Sequence, residues 1–285
     1  MNDFAFFDRT GRGRLIVTGR DRMDLLHRLA TTSIIELQPG GGTATVFCNR
    51  KGGMIDFTVV LNRGDDLLLL SGNPERLSGH ILQYTITEDV TVRNYMAIEL
   101  VVCGPGAAEV LGVELEPWCW VEVALGEVKV QIVRIEPLYG DAYAVLAPDA
   151  VALRRTLAEN GRALSPSEVE ELRVRAGIPT SPNEVNENHN PWEAGLDAFI
   201  SLKKGCYVGQ EVIARLNTYE KVRRKLRGLK LGLPRERGDQ LAIDGAPAAE
   251  LTTVAGGIAL AYVEIDHVEA GTSIEDATVL DLPMA

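Results

Sequence analysis

The stretch KKGCYVGQEV, residues 203–212, sets Cys206 between Gly205 and Gly209 and follows it with Gln210 and Glu211. A structural cysteine is normally a small buried hydrophobe among apolar neighbours. Cys206 instead has Lys203 and Lys204 beside it. Two glycines would let the backbone approach a ligand closely, and the lysines would lower the thiol pKa and make it more reactive. Gln210 and Glu211 would add hydrogen-bonding groups. The alternative is a glycine-punctuated connection between two parts of the chain, and spacing alone leaves both open.

Two further stretches carry similar choices. CNRKGGMIDF, residues 48–57, is either a hairpin turn or a pocket wall from which Asn49 and Asp56 face a ligand. KVRRKLR, residues 221–227, places five charges in seven residues. It reads as a solvated strand face, or as an anion clamp, since arginine can grip carboxylates with two parallel bonds. His27, His80, His189 and His267 each stand alone in sequence, and none is assigned catalysis. The four cysteines show no CxxC pair and no histidine at zinc-ligand spacing, so no metal site is expected and a reducing cytoplasm fits best.

These residues need elements to hold them. RLIVTG (14–19) predicts a strand, and Asp21 opens a helix with Met23, Leu26, Leu29 and Ala30 on one face. Residues 58–71 form two apolar runs around Asn62-Arg63-Gly64-Asp65, a hairpin signal, after which Asn73 and Pro74 cap and start a helix to about Thr85. Strands are expected at 96–102, 127–134 and 142–147, and short helices at 107–111, 149–161 (stopped by Gly161) and 167–177 (capped by Ser167). Residues 179–192 turn to Pro, Asn, Glu and His and read as a long irregular arm. Beyond Lys221, short apolar runs separated by Gly, Pro and Asp predict a small antiparallel barrel or sandwich.

At 285 residues the chain can bury a substantial core, and 46% hydrophobic with 24% charged residues is an ordinary globular composition. A net charge of -11 argues against a general grip on nucleic acid. No apolar run approaches the roughly 20 residues of a membrane span, and charges interrupt every apolar run near the N-terminus, so neither a membrane segment nor a signal peptide is expected.

Taken together, KKGCYVGQEVIAR, the preceding RVRAGIP, NPWEAGL between them and KVRRKL after them resemble the folate-binding YgfZ-type proteins, relatives of the glycine-cleavage T-protein (aminomethyltransferase). GRDRMDLLHRLATTSI, PGGGTATVFCNRKGGMIDF and GGIALAYVE extend the resemblance over nearly the whole chain. The resemblance implies an α+β, three-domain, cloverleaf-like fold. A discontinuous first lobe would span 1–47 and 138–215, a second lobe 48–137, and a C-terminal antiparallel β-barrel 216–285. It implies a channel for tetrahydrofolate and a role in iron–sulfur cluster assembly or repair. That role would involve client or assembly proteins and affect tRNA-thiolating enzymes only indirectly. Cys206 would be a functional thiol. The expected cofactor-binding set is Asn49, Met54, Asp56, Arg175, Glu193, Lys204, Gly205, Tyr207, Gly209, Gln210, Glu211 and Arg223.

Two departures qualify the resemblance. Aminomethyltransferases carry a catalytic aspartate on the helix after the second-lobe hairpin, whereas NPERLSGHI offers Leu77-Ser78-Gly79, with Glu75 the nearest carboxylate. Aminomethyl transfer is therefore not expected, although one-carbon transfer to an unknown acceptor and a non-catalytic scaffold stay open. In LRVRAGIP, Arg175 stands where the family has glutamate, and a guanidinium has only donors to offer a pterin. Either Arg175 points elsewhere and another acid such as Glu193 serves, or pterin affinity is weakened, or the ligand differs.

Overall fold

The computed structural model describes residues 3–125, 128–218 and 222–284. Along the chain run β1 (Ala5–Asp8), β2 (Gly13–Thr18), α1 (Arg22–Leu29), β3 (Gly42–Cys48), β4 (Met54–Asn62), β5 (Leu67–Ser71), α2 (Pro74–Gln83) and β6 (Thr91–Asn94). Then follow β7 (Ile98–Cys103), α3 (Ala107–Leu111), β8 (Trp120–Leu125), β9 (Val128–Ile135), β10 (Ala142–Ala147), α4 (Ala150–Ala158), β11 (Arg162–Ala163) and α5 (Pro166–Ala176). After an irregular arm come α6 (Gln210–Thr218), β12 (Arg224–Leu231), β13 (Gln240–Ile243), β14 (Ala246–Ala255), β15 (Ile258–Glu264), β16 (Ser273–Ile274) and β17 (Ala277–Leu280). Among the described residues no helix is long and apolar enough to cross a membrane.

The strands form three sheets. The first has the order β3-β4-β5-β2-β6 and is backed by α1 and α2. The second, β11-β1-β7-β10-β9-β8, is backed by α3 and α4. The third, β13-β14-β15-β12-β17-β16, curls until its edge strands β13 and β16 approach each other, a nearly closed barrel. The inner faces of all three sheets share one core, in which Phe57, Leu68, Val101, Val133, Leu260 and Tyr262 take part. Period-two alternation does this economically in LLLL of β5. Leu68 and Leu70 enter the shared core, while Leu67 and Leu69 pack under α1 and α2.

The predicted hairpin, its helix and the C-terminal β run are found in place. Asn73 accepts a hydrogen bond from the Arg76 N–H as the cap of α2, with Pro74 at the first position. In both the first and second sheets a hairpin (β4–β5, β9–β10) leads directly into a helix. Several expectations need correction. Ser165, not Ser167, caps α5: its side chain and Glu168 form a reciprocal capping box around Pro166. α4 ends at Ala158, and Gly161 instead makes room for Phe4, whose ring would lie 2.2 Å from a Cβ there. The division expected between residues 47 and 48 would cut the β3–β4 hairpin, which pairs from Gly42↔Leu61 to Cys48↔Met54. The sheet that is discontinuous in sequence is the second: it takes β1, then β7 to β11, with the whole first sheet (13–94) inserted between. Likewise α6 spans the expected boundary at 215/216. Residue 127, expected to start a strand, and Lys221 of the basic run lie outside the described residues.

Candidate functional site

Where the first and second sheets, α5 and the irregular arm converge, they leave a cavity of about 270 Å³. Phe7 of β1, Phe57 of β4, Val101 of β7, Ile135 of β9 and Val169 of α5 supply apolar wall. Arg9, Arg12, Glu136, Arg173, Thr180 and Ser181 supply the polar part. Small-molecule sites typically have this make-up, a largely apolar concavity with a few converging polar groups.

Directly behind this wall lies Asp56. It is completely buried in β4, and four donors converge on it. Oδ2 accepts from the Thr58 hydroxyl (2.7 Å), the Ser71 hydroxyl (2.6 Å) and the Gly72 N–H (3.1 Å). Oδ1 accepts from the Ser181 hydroxyl alone (2.9 Å). A carboxylate oxygen has room for a second partner, so Oδ1 retains accepting capacity. Ser181 is itself a wall residue, and its hydroxyl proton is directed back at Asp56. Its lone pairs are thus left to accept from a ligand. Gly72 keeps this corner open: a Cβ there would come within 3.1 Å of both Asp56 Oδ1 and the Ser181 Cβ.

Two arginine-centred networks flank the cavity, one of three arginines and one built on Arg173 alone. On one side Glu99, completely buried in β7, is held by Arg14 Nη1 at 2.8 Å and Arg9 at 2.6 Å. Burial alone would push the Glu99 carboxyl up, but Arg9, Arg12 and Arg14 hold it below the ordinary range. On the other side Arg173 of α5 donates to the Ile178 carbonyl (2.6 Å), Glu184 (3.0 Å) and Thr253 of the third sheet (2.9 Å). Glu184, also fully buried, accepts further from Thr253 Oγ1 and the Thr180 N–H. This network ties the arm and α5 to the barrel, fixing the cavity's far wall.

The Cys206 loop lies elsewhere: none of residues 203–211 lines this cavity. Cys206 is exposed, and among the described residues it has no hydrogen-bond or ion-pair partner. Lys204 does not serve it. The Lys204 ammonium donates to the carbonyls of His27, Ala30 (2.6 Å) and Thr32 (2.9 Å), closing the C-terminal end of α1. Burial pushes this amine down to about 8. Tyr207 is buried against Cys48 and Ile213, its phenol pushed up to about 12 by burial. Gly209 has φ +84°, and a Cβ on it would lie 2.5 Å from the Asn49 carbonyl. Gly205 meets only His27 Nε2, at 3.9 Å. Gln210 and Glu211 open α6, with Glu211 exposed.

The remaining expected residues are dispersed. Asn49 builds the β3–β4 turn, its Oδ1 accepting from the N–H groups of Lys51 (2.9 Å) and Gly53 (3.0 Å). Met54 is wholly buried in the shared core. Arg175 pairs with Glu171 at 2.8 Å and lines a separate depression with Tyr139 and Met284. Glu193 accepts from the Asn190 N–H and sits 3.7 Å from His189, which stacks on Tyr262. Arg223 is exposed, and the neighbouring Arg224 is paired with Glu264 along the barrel. None of the expected set lines the cavity; Asp56 alone is one hydrogen bond from it, through Ser181. Sequence reading missed Arg12, Ser71, Glu99, Ser181 and Glu184. Glu99 carried a signal, a lone carboxylate inside the apolar run AIELVV, whereas the serines carried none. α2 itself brings no carboxylate to the cavity wall; the wall carries Glu136, and Asp56 of β4 stands behind Ser181. Among the described residues no group of three or more His, Cys, Asp or Glu is placed to hold a metal.

Comparison with known proteins bears on this arrangement. A protein of Arabidopsis thaliana named as a chloroplastic transferase is 28% identical, the match covering 96% of this chain and 68% of that one. The aminomethyltransferase of Caldanaerobacter subterraneus is 27% identical, covering 96% and 80%. The crystal structure of the glycine cleavage system aminomethyltransferase T from Bartonella henselae superposes with a TM-score of 0.86 over 99% of this chain and 86% of that one, at 20% identity, a likeness of fold. Residues 1–204 match the GCVT N-terminal domain model, and the chain therefore belongs to the GCVT family.

Proposed function

We propose that the central cavity binds a tetrahydrofolate-class cofactor and that the chain uses it in one-carbon transfer to an acceptor. The observation that carries this reading is Ser181 at the cavity wall with buried Asp56 behind it. A reduced pterin needs apolar surface for its ring and an acceptor for its N–H groups. Phe7, Phe57 and Ile135 offer the first; Ser181 and the spare capacity of Asp56 Oδ1 offer the second. The space left by Gly72 is the approach to that acceptor. When bound, the folate supplies the nitrogen that carries the one-carbon unit. Ser181 would orient a ligand N–H, and the Asp56 carboxylate, fixed by four donors, would stabilise positive charge developing on that nitrogen in a water-poor site. Relatives named as transferases support this reading.

Arg175 does not oppose it, because its guanidinium is paired with Glu171 away from the cavity. Anaerobic calorimetric titration with tetrahydrofolate tests the reading: the wild type and Arg175→Glu bind alike, and Asp56→Asn binds at least tenfold more weakly. Absence of binding by the wild type would sink it. Turnover of methylene- or methyl-tetrahydrofolate with a cell extract then tests transfer.

A second reading is favoured by the exposure of Cys206 within KGCYVGQE. In it the chain is a YgfZ-type, folate-binding accessory protein of iron–sulfur cluster assembly or repair, with Cys206 as the working thiol. Lowered activity of cluster-dependent enzymes in cells carrying Cys206→Ala, with no folate consumed, supports the second reading over the first.

A further inference from the structure

The segment joining β1 to β2 carries three arginines, and only two of them are spoken for. Arg9 and Arg14 take the two oxygens of buried Glu99. Arg12, between them, lines the cavity but has no carboxylate oxygen within 4.0 Å among the described residues. Its one hydrogen bond is a long Nε–H contact, 3.4 Å, to the Ser71 carbonyl. Five donors and a full charge thus stand half-buried on the cavity wall with one weak protein acceptor, an arrangement that leaves most of the guanidinium free to receive an anion. Burial and the neighbouring Arg9 both push the Arg12 guanidinium down from its ordinary value. Glu136, Glu99 and Asp56 act on it through charge, in that order, but none forms an ion pair with it: Glu99 is taken by Arg9 and Arg14, and Asp56 by its four donors.

The anion can be specified further. Glu136 stands on the same wall, which disfavours a doubly charged phosphate and suits a singly charged, planar carboxylate. Ser71 fixes the distance scale, since its carbonyl faces Arg12 while its hydroxyl donates to Asp56. A carboxylate on Arg12 therefore lies within one residue's breadth of the Asp56–Ser181 corner. The glutamate of a folate lies a whole aminobenzoyl ring from its pterin, too far to serve Arg12 when the pterin is at Ser181. We infer that Arg12 is the carboxylate-binding residue for a small amino acid, whose amine it directs toward Ser181 and Asp56. This rests on the proposed function for the role of that amino acid as acceptor, but the subsite itself does not require a folate.

Calorimetric or NMR titration with glycine and N-methylglycine, with and without tetrahydrofolate, tests the inference. The wild type binds at least one of them and does not bind methylamine, which lacks the carboxylate. Arg12→Gln weakens binding about tenfold to a hundredfold, the range expected for a charge-assisted bond. Arg12→Lys, which keeps the charge but not the fork, falls between and serves if Arg12→Gln fails to fold by circular dichroism. Binding of neither amino acid by the wild type, or equal affinity in all three proteins, overturns the inference. If N-(4-aminobenzoyl)-L-glutamate shows the Arg12-dependent loss and the amino acids do not, the subsite belongs to the folate tail and the inference also falls. If the amino acids respond to Arg12 while tetrahydrofolate does not bind, the subsite stands and the folate reading fails.

Discussion

Asp56 and Cys206 are the two chemically conspicuous residues of this chain, and the fold treats them in opposite ways. Asp56 is sealed in a β-strand, and its four donors come from β4 itself, the β5–α2 junction and the arm more than a hundred residues later. Cys206 stands exposed on a loop whose neighbours, Lys204 and Tyr207, are the parts tied down. A group locked by distant elements is suited to acting on something held still in a cavity. A group presented on an anchored loop is suited to meeting something that arrives from outside. The two roles need not share a ligand, because no residue of the Cys206 loop lines the cavity.

The strongest way to break this contrast is to remove the locked group. Asp56→Ala leaves the Gly72 N–H and three hydroxyls without their common acceptor in a dry interior, and a loss of about 3–5 kcal/mol is expected. Urea unfolding measures it. A loss below about 1 kcal/mol would mean that the hydroxyls find other acceptors and that the corner is not built around Asp56.

Acid sharpens the contrast from a second side. His80 is buried on α2, the helix that starts immediately after Ser71 and Gly72, and burial pushes it down to about 4. Its folded pKa lies below the unfolded value near 6.5, so as pH falls the unfolded chain takes up the proton first. Stability is therefore full above about pH 6.5 and drains away toward pH 4, by about 2–3 kcal/mol. Unfolding midpoints between pH 7 and pH 4 should show a steeper decline in the wild type than in His80→Leu. Parallel curves would remove His80 as the cause.

How much of this was legible follows from how local each determinant is. The β4–β5 hairpin and the α2 start were readable because Asn62-Arg63-Gly64 and Asn73-Pro74 act on their own neighbours. Asp56 was readable as a candidate by residue type, but its acceptor role depends on Ser181, 125 residues away. In RVRAG the sequence pointed to Arg175, and the structure sends Arg173 inward instead. Residues two apart on a helix point to opposite sides, and the polar sequence of α5 gave no apolar stripe to say which side was inside. α6 escaped notice because glycines precede it and no Ser, Thr, Asn or Asp cap announces Gln210.

The two glycines around Cys206 test which part of its loop is fixed. Gly209→Ala must hold a Cβ at φ +84° against a backbone carbonyl 2.5 Å away, and about 2 kcal/mol is expected to be lost. Gly205→Ala meets only a ring edge at 3.9 Å and should cost less than about 0.5 kcal/mol. Thermal unfolding of the pair decides it. Equal costs would show that the loop is anchored differently from the way Lys204 and Tyr207 indicate.

Cys206→Ser is expected to have the smallest effect on stability. The thiol is exposed and has no partner among the described residues, so its replacement should change the unfolding free energy by no more than about 0.5 kcal/mol. Binding in the cavity should be equally indifferent, because the loop contributes nothing to its walls. The informative measurement is therefore made on both properties at once, unfolding and tetrahydrofolate titration on the same Cys206→Ser sample. Indifference in both isolates the thiol, so that any loss of function in cells must come from what Cys206 meets outside the molecule. A marked loss of binding would instead tie the loop to the cavity and collapse the distinction between the two regions.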